Sequence, residues 1–197
     1  THQTGGHLTI ESGEGSATTS GHIHIRTANA GTAGISGMLV FSSGTTSSGN
    51  SGSIQIGTGT ATSGRGGTLE LTVGEGNSGT GGIMRMYAGD SSAATGGAMY
   101  IESGHGSVSS SGLLSIRTAN AGTNGVTGAL IFSSGTSTSG DSGSISIGSG
   151  AATGGKGGDV TLTVGSGNTG SGGFLSIRAG QTTDSSTGTG GHLEIAS

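Results

Sequence analysis

Three histidines near the start of the chain have the spacing that most suggests chemistry. His22 and His24 are two residues apart, which places them on one face of an extended strand, and His7 lies fifteen residues before His22. Histidine nitrogens arranged in this way are suitable ligands for Zn²⁺ or Cu²⁺. The equivalent positions in the second half of the chain hold alanine, leucine and serine. This difference favours a solvated surface cluster over a metal site, and we expect no cofactor.

No other group of residues specifies a reaction. Serines are frequent, but their G-x-S-x-G contexts are expected by chance at this composition, and no Ser-His-Asp set is defined by spacing. The Gly-rich stretches lack the Lys-Ser/Thr pair and the following helix of a phosphate-binding loop. The ten acidic residues are scattered and match no calcium-binding motif. The sequence therefore predicts that the protein is not an enzyme.

The composition excludes several further classes. Of 197 residues, 48 are glycine and 63 are serine or threonine, whereas cysteine, proline and tryptophan are absent. Disulfides and cysteine-based metal sites are thereby excluded. Six Lys and Arg residues and a net charge of −4 give no basic stripe for nucleic acid. No apolar run is long enough for a membrane-spanning helix, and there are too few large apolar residues for an ordinary globular core.

The chain is built from a repeat of about 15 residues, and any functional site must be positioned by the structure of this repeat. Each repeat, or unit, ends in glycine, and unit positions are numbered from 1 at its first residue. Of the twelve complete units from His7 to Gly191, nine have 15 residues, two have 16 and one has 18, and a partial unit follows. The units begin at His7, His22, Met38, Ser53, Thr68, Ile83, Ala98, Leu113, Ala129, Ser144, Asp159, Phe174 and His192.

Six units together form a longer repeat of 91 residues. Residues 7–82 and 98–173 share 47 identities in 76 positions. The heptapeptide RTANAGT occurs at 26–32 and again at 117–123. We interpret this as duplication of a six-unit block within one continuous solenoid over 1–197. Block one is 7–97, block two is 98–191, and partial units lie at both ends.

Unit positions 2 and 4 predict the architecture. Both are large and apolar in nearly every unit, and their period of two places them on one face of a strand. Position 6 continues that face with Ser, Thr, Val or Ala. Stacked in register, such strands form two adjacent apolar ladders. The sequence thus predicts an all-β fold, a flattened β-solenoid of about 13 coils, with turns at the glycines of positions 7 and 12 and at the closing glycine. The predicted ladder residues are Leu8, Ile10, Ile23, Ile25, Leu39, Phe41, Ile54, Ile56, Leu69, Leu71, Leu114, Ile116, Leu130, Phe132, Ile145 and Ile147.

Two kinds of contact are expected around this stack. Glu11 with Arg26, Glu102 with Arg117 and Glu70 with Arg85 share a position in adjacent units and should pair across coils. On the outer face, Leu113, Ala129 and Ile131 fall in adjacent units and are candidates for lateral packing on another solenoid. The partial units at both ends suggest either a longer array or subunits that stack head to tail.

The repeats of the form TGGxLxIxSG and SGTxTSGxSGxIxIGxG resemble the Gly/Ser/Thr-rich repetitive β-solenoid proteins of algal and aquatic-microbe surfaces. The resemblance implies an extracellular or cell-surface setting, and O-linked sugars are possible on exposed Ser and Thr. We therefore predict a structural protein, a rigid segment of a surface fibre that assembles with itself end to end or continues in a longer array. The alternative is an ice-binding or other surface-recognition solenoid, because short Thr-rich coils resemble β-solenoid antifreeze proteins. Positions 1, 3 and 5 carry no ordered threonine array.

Overall fold

The computed structural model describes residues 5–196. No helix and no strand form within these residues, and so none of them belongs to a helix that could cross a membrane. The chain divides into two compact parts, Thr1–Met99 and Tyr100–Ser197. The division falls two residues after the boundary between the two sequence blocks at 97/98.

Within each part, the local structure is a bend that recurs once in every unit. The bends begin at unit position 10, 11 or 12, so each unit runs outward, turns, and returns to its closing glycine. In the first part the bends span 16–18, 32–34, 47–49, 62–64, 77–80 and 92–94. In the second part they span 107–109, 123–124, 138–140, 153–155, 168–171 and 185–187.

The returning chain meets its own unit at position 6. A methyl group placed on any of the twelve closing glycines would lie 2.5–3.7 Å from the side chain at position 6 of the same unit. The tightest cases are Gly82 against Val73 and Gly173 against Val164. We call this contact between the position-6 residue and the closing glycine the closure. In eight units the nearest atom would lie within 3.3 Å, which disfavours a larger residue at the closing position; at Gly52, Gly112, Gly128 and Gly143 the added methyl would be in ordinary contact.

Hydrogen bonds hold several closures together. The hydroxyl at position 6 donates to the carbonyl of the closing glycine in four units, with distances of 2.9 Å from Ser12, 3.0 Å from Thr27, 3.3 Å from Thr58 and 2.7 Å from Ser149. In four units the closing N–H donates to the position-7 carbonyl at 2.8–2.9 Å, as from Gly21 to Gly13. All of these bonds join residues of one unit.

The closure is also where the chain is least exposed. Among residues 5–196, no side chain is fully buried, and eight residues are partly buried. Six of them occupy position 6, and the other two are glycines at position 9: Ser12, Gly15, Thr27, Ala88, Ser103, Gly106, Thr118 and Ala179. They form four pairs separated by 91 residues, so the sequence duplication is reproduced in the packing.

The predicted coil-to-coil ladder is not present in this single chain. No backbone hydrogen bond in residues 5–196 joins one unit to the next. A ladder requires each strand to have partners on both sides, whereas the closures are satisfied within a unit. The flattened β-solenoid therefore remains a prediction about how such units stack.

The glycines serve two different purposes. Within residues 5–196, φ is positive at four of the six glycines of position 12, Gly49, Gly79, Gly140 and Gly170, and at no other residue. These four form two pairs 91 residues apart. There the left-handed backbone requires glycine, as predicted for a turn. At position 7 and at the closing position no described glycine has a positive φ. The prediction of left-handed turns at those two positions was wrong, since close approach is what the closing glycine provides.

The glycine at position 9 provides the first test of this packing. A Cβ on Gly15 would lie 2.6 Å from the carbonyl oxygen of Thr19 and 2.7 Å from that of Thr18, whereas one on Gly13 would meet nothing within 4 Å. We expect Gly15→Ala to lower the free energy of unfolding by about 1–3 kcal/mol, as overpacking does, because backbone must move. Gly13→Ala is the matched control and should have little effect. Urea unfolding of both variants measures the difference, and equal stability would contradict the described turn.

Candidate functional site

The apolar residues of positions 2 and 4 are the largest surface that the closures leave uncovered. Position-2 side chains are about half-exposed, as for Leu39 at 48%, and position-4 side chains are more so, as for Ile147 at 73%. The outgoing segment that carries them is not covered by the closing glycine of its own unit, whose contacts are with positions 6 and 7. These side chains are therefore available for contact with something outside the unit.

The outer-face residues proposed for lateral packing are more exposed still. Leu113 is 90% and Ile131 is 79% exposed, and Ala129 is also exposed. Tyr100 on the same face is 90% exposed. Other outer-face side chains, Val40 at 62% and Ile83 at 66%, are no more exposed than those of position 4, and only the position-2 side chains, Leu8 apart, are consistently more sheltered.

The histidines do not form a metal site. Within residues 5–196, no group of three or more His, Cys, Asp or Glu side chains is placed to hold a metal ion. His7, His22 and His24 lie in this part of the chain and are all exposed.

The charge pairs predicted between adjacent units are also not formed. Glu11, Arg26, Glu70, Arg85 and their counterparts are within the described residues, but none pairs within 4 Å. The ion pairs of residues 5–196 are instead local. Lys156 Nζ lies 3.0 Å from Asp159 Oδ1, and His192 Nε2 lies 3.8 Å from Glu194 Oε2, a pair that requires a protonated histidine. Without a ladder, neighbouring units do not bring the predicted partners together.

The sequence analysis did not single out the loop around Asp184. This loop lies in the 18-residue unit, where the extra residues fall. The Asp184 carboxylate accepts hydrogen bonds from the N–H and hydroxyl groups of Ser186, both at 2.8 Å, and from the Thr187 hydroxyl at 2.9 Å. The backbone N–H of Asp184 itself donates to the Thr182 hydroxyl at 3.1 Å. These bonds fold the inserted residues into a compact turn, and an aspartate followed by serine and threonine was the available sequence signal.

The same hydrogen bonds perturb the acidity of Asp184. The Ser186 backbone N–H, followed by the hydroxyls of Ser186 and Thr187, lowers the pKa of the carboxyl from 3.8 to about 2, because the ionised form is the one that accepts these bonds. The carboxylate is fully exposed. Its hydrogen bonds to Ser186 and Thr187 hold the loop in its turn. Nothing around it forms a catalytic or ligand-binding cluster.

An open cavity of about 410 Å³ is lined by Arg117, Thr118, Ala119 and Asn120. These residues belong to the second copy of the RTANAGT heptapeptide. Arg117 supplies its one charge, and no second charged group faces it among the lining residues. We assign no chemistry to this cavity.

The position-6 residues form the structural site at which prediction and structure differ most. The sequence places Ser, Thr, Val or Ala there and predicts a continuation of the apolar face, whereas in the structure these residues meet the closing glycine. The signal was the uniformly small size of the residue, which the closing glycine requires.

Comparisons with protein-family models, with curated proteins and with solved structures each gave no match to this chain.

The hydroxyl bond of the closure can be tested at Thr27. Thr27→Val keeps the shape of the side chain and removes the 3.0 Å bond to the Gly37 carbonyl, and valine is already accepted at this position in two other units. We expect a loss of about 0.5–1.5 kcal/mol in the free energy of unfolding, toward the lower end because the freed carbonyl can reach water. Thr27→Ser keeps the hydroxyl and is the matched control. Urea unfolding that ranks Val above Ser in stability would contradict a role for the bond.

The loop held by Asp184 should open in acid. A carboxyl whose pKa is lowered in the folded state stabilises that state above its unfolded pKa of 3.8, and the stabilisation is lost as the pH falls through about 2. We expect the amide protons of Ser186 and Thr187 to be protected from solvent exchange at pH 5 and to lose protection between pH 4 and pH 2.

Asp184→Ala should remove this protection at every pH, whereas the closures elsewhere should be unchanged. NMR amide-exchange measurements follow both. Protection that stays constant from pH 5 to pH 2 would show that the carboxylate does not hold the loop.

Proposed function

We propose that this chain is a structural repeat protein, a rigid segment of an extracellular or cell-surface fibre that assembles end to end or continues in a longer array. The observation that carries the proposal is the combination of a recurring, self-closed unit with apolar positions that the unit leaves half-exposed. Each unit has its turn and closure in place, and its Leu and Ile side chains still lack a cover.

The exposed area supports an assembling role. The chain exposes 19,708 Å², whereas a compact protein of 18.4 kDa exposes about 8,000 Å². Repeat units of a solenoid bury their apolar residues against neighbouring units, and the surface exposed here is available for such contact. Stacking in register would cover positions 2 and 4 and would give the outgoing segments the backbone partners that they lack in the single chain.

The extracellular or surface setting is supported by the Gly/Ser/Thr-rich repeat and its resemblance to surface proteins of aquatic microbes. In such a setting the exposed Ser and Thr residues are available for O-linked sugars. The proposed partner is the protein itself, and no nucleic-acid partner is proposed, because the charge is −4 with six Lys and Arg residues.

Electron microscopy and fibre diffraction of the purified chain test the proposal. We expect narrow filaments with an axial repeat of about 4.8 Å. Ile116→Lys introduces a charge at position 4, which stacking would bury, and should abolish the filaments. Ser115→Lys introduces the same charge at the neighbouring position 3, which remains on the surface, and should leave them intact.

Particles that keep the mass of a single chain and never elongate would contradict the proposal that the chain forms fibres. If those particles also depressed the freezing point of their solution, the ice-binding alternative would take its place. Filaments that persist unchanged in Ile116→Lys would show that positions 2 and 4 are not the stacking face.

A further inference from the structure

The turn at 122–125 contains the only asparagine of the chain that is followed by glycine. Six asparagines occur in the sequence, and the other five precede alanine, serine or threonine. The pair Asn124–Gly125 belongs to the second copy of the 91-residue repeat, and the equivalent pair of the first copy is Ala33–Gly34. The duplication therefore supplies a matched segment that lacks the asparagine.

Asn124 and Gly125 carry two groups that can react with each other. The backbone nitrogen of Gly125 can reach the side-chain carbonyl carbon of Asn124, Cγ, and close a five-membered ring. Glycine favours this approach because it has no side chain beside the nitrogen and the widest choice of backbone angles. The residues that follow the other five asparagines all have a Cβ, which crowds the corresponding nitrogen.

The structure leaves the side chain of Asn124 accessible and without a partner. Residues 121–130 are all exposed. None of the side-chain hydrogen bonds formed within residues 5–196 involves the Asn124 carboxamide. The carboxamide is thus free to rotate toward the backbone nitrogen that follows it.

The nitrogen of Gly125 is only weakly held. Its N–H donates to the Gly122 carbonyl at 3.4 Å, whereas the closing hydrogen bonds, such as the one from Gly21 to Gly13, are 2.8–2.9 Å long. A bond of 3.4 Å lies outside the usual range for N–H donors to oxygen. Asn-Gly pairs favour a turn with positive φ at both residues, but neither Asn124 nor Gly125 has a positive φ. The pair is therefore not fixed in the turn that such pairs prefer.

We propose that Asn124 is a site of spontaneous deamidation, with Gly125 as the internal nucleophile and water as the only co-reactant. The Gly125 nitrogen loses its proton and bonds to Asn124 Cγ, and the Cγ–Nδ2 bond breaks. The side-chain amino group leaves as ammonia and carries that proton in the net balance. Water then opens the resulting succinimide ring. Opening at Cγ gives aspartate, and opening at the backbone carbonyl carbon gives isoaspartate, whose peptide bond runs through the side chain.

Both products differ from the original chain in ways that can be measured. Each carries a carboxylate in place of a neutral amide, so the net charge becomes more negative than −4 by one unit. Isoaspartate also adds a methylene group to the backbone inside the turn. The reaction requires only this turn of one unit, and it is independent of the proposed fibre.

Peptide mapping after incubation at pH 8 measures the reaction. Trypsin cleaves after Arg26, Arg65, Arg117 and Lys156, which gives the matched peptides 27–65 and 118–156. We expect 118–156 to gain the mass difference between an amide and an acid at Asn124, about tenfold faster than any other asparagine of the chain reacts. Chromatography should resolve isoaspartate from aspartate. An amide at Asn124 that lasts as long as those of the other five asparagines would overturn the proposal.

A comparison of the folded chain with the chain unfolded in urea tests what the structure contributes. Segments with few buried contacts open locally at little cost, so deamidation in the folded chain should proceed within about fivefold of the rate in urea. A folded chain that reacts more slowly than this would show that the turn keeps Gly125 and the carboxamide apart, and the proposal would fail.

Gly125→Ala is the variant that removes the reactive pair and keeps the turn. A Cβ on Gly125 would lie 3.7 Å from that of Ala121, which is an ordinary contact, and φ is not positive there. We expect deamidation at Asn124 to slow by about tenfold with an unchanged circular dichroism spectrum. An unchanged rate would show that the absence of a side chain at residue 125 does not control the reaction.

Ala33→Asn transfers the pair to the first copy, where Gly34 follows and the bend at 32–34 is equally exposed. Peptide 27–65 should then deamidate at residue 33 at a rate comparable to that of 118–156. A first copy that stays unreactive would contradict the role given to an accessible Asn-Gly pair, on which the proposal depends.

Discussion

The close approach of each closing glycine to the small residue at position 6 is the contact on which the rest of this structure depends. It marks the point to which each unit returns, and in eight of the twelve units a methyl added at the closing position would lie within 3.3 Å of a neighbouring atom. Its hydrogen bonds join residues only eight to eleven apart in sequence. Such local contacts involve a small loss of loop entropy, which explains how a chain so rich in glycine can order its units individually. The requirement for small residues on both sides of the closure also accounts for much of the composition.

A closure of this kind stabilises a unit without covering its apolar side chains. The residues around it are glycine, serine, threonine, alanine and valine, and the leucines, isoleucines and phenylalanines lie on the outgoing segment beyond its reach. An ordinary domain covers such side chains with a second layer of its own. Here the proposed cover comes from neighbouring units along a stack. Assembly is then the step that completes the hydrophobic burial, which is a physical reason for a structural role.

Charge is distributed in a way that permits this assembly. The few ionised groups lie away from positions 2, 4 and 6, and the ion pairs of residues 5–196 are local ones between exposed groups. The Asp184 carboxylate likewise makes local contacts, since it accepts hydrogen bonds from the N–H and hydroxyl groups of its own loop. Exposed pairs of this kind contribute at most about 1 kcal/mol, so the arrangement of charge directs contacts more than it stabilises them.

Spacing alone establishes the unit, its 91-residue duplication and the apolar character of positions 2 and 4. Local backbone sterics predict left-handed glycines at positions 7 and 12 and at the closing position, and this holds at four of the six glycines of position 12. Where the chain returns is seen in the folded unit alone, because the closure depends on distances that spacing does not reveal. Spacing therefore assigns position 6 to the apolar face, whereas in the structure it meets the closing glycine. The cross-unit pairs, such as Glu11 with Arg26, failed for the related reason that they presuppose a ladder. Sharing a position in adjacent units brings two side chains together only if those units hydrogen-bond in register, and the single chain satisfies its closures without doing so.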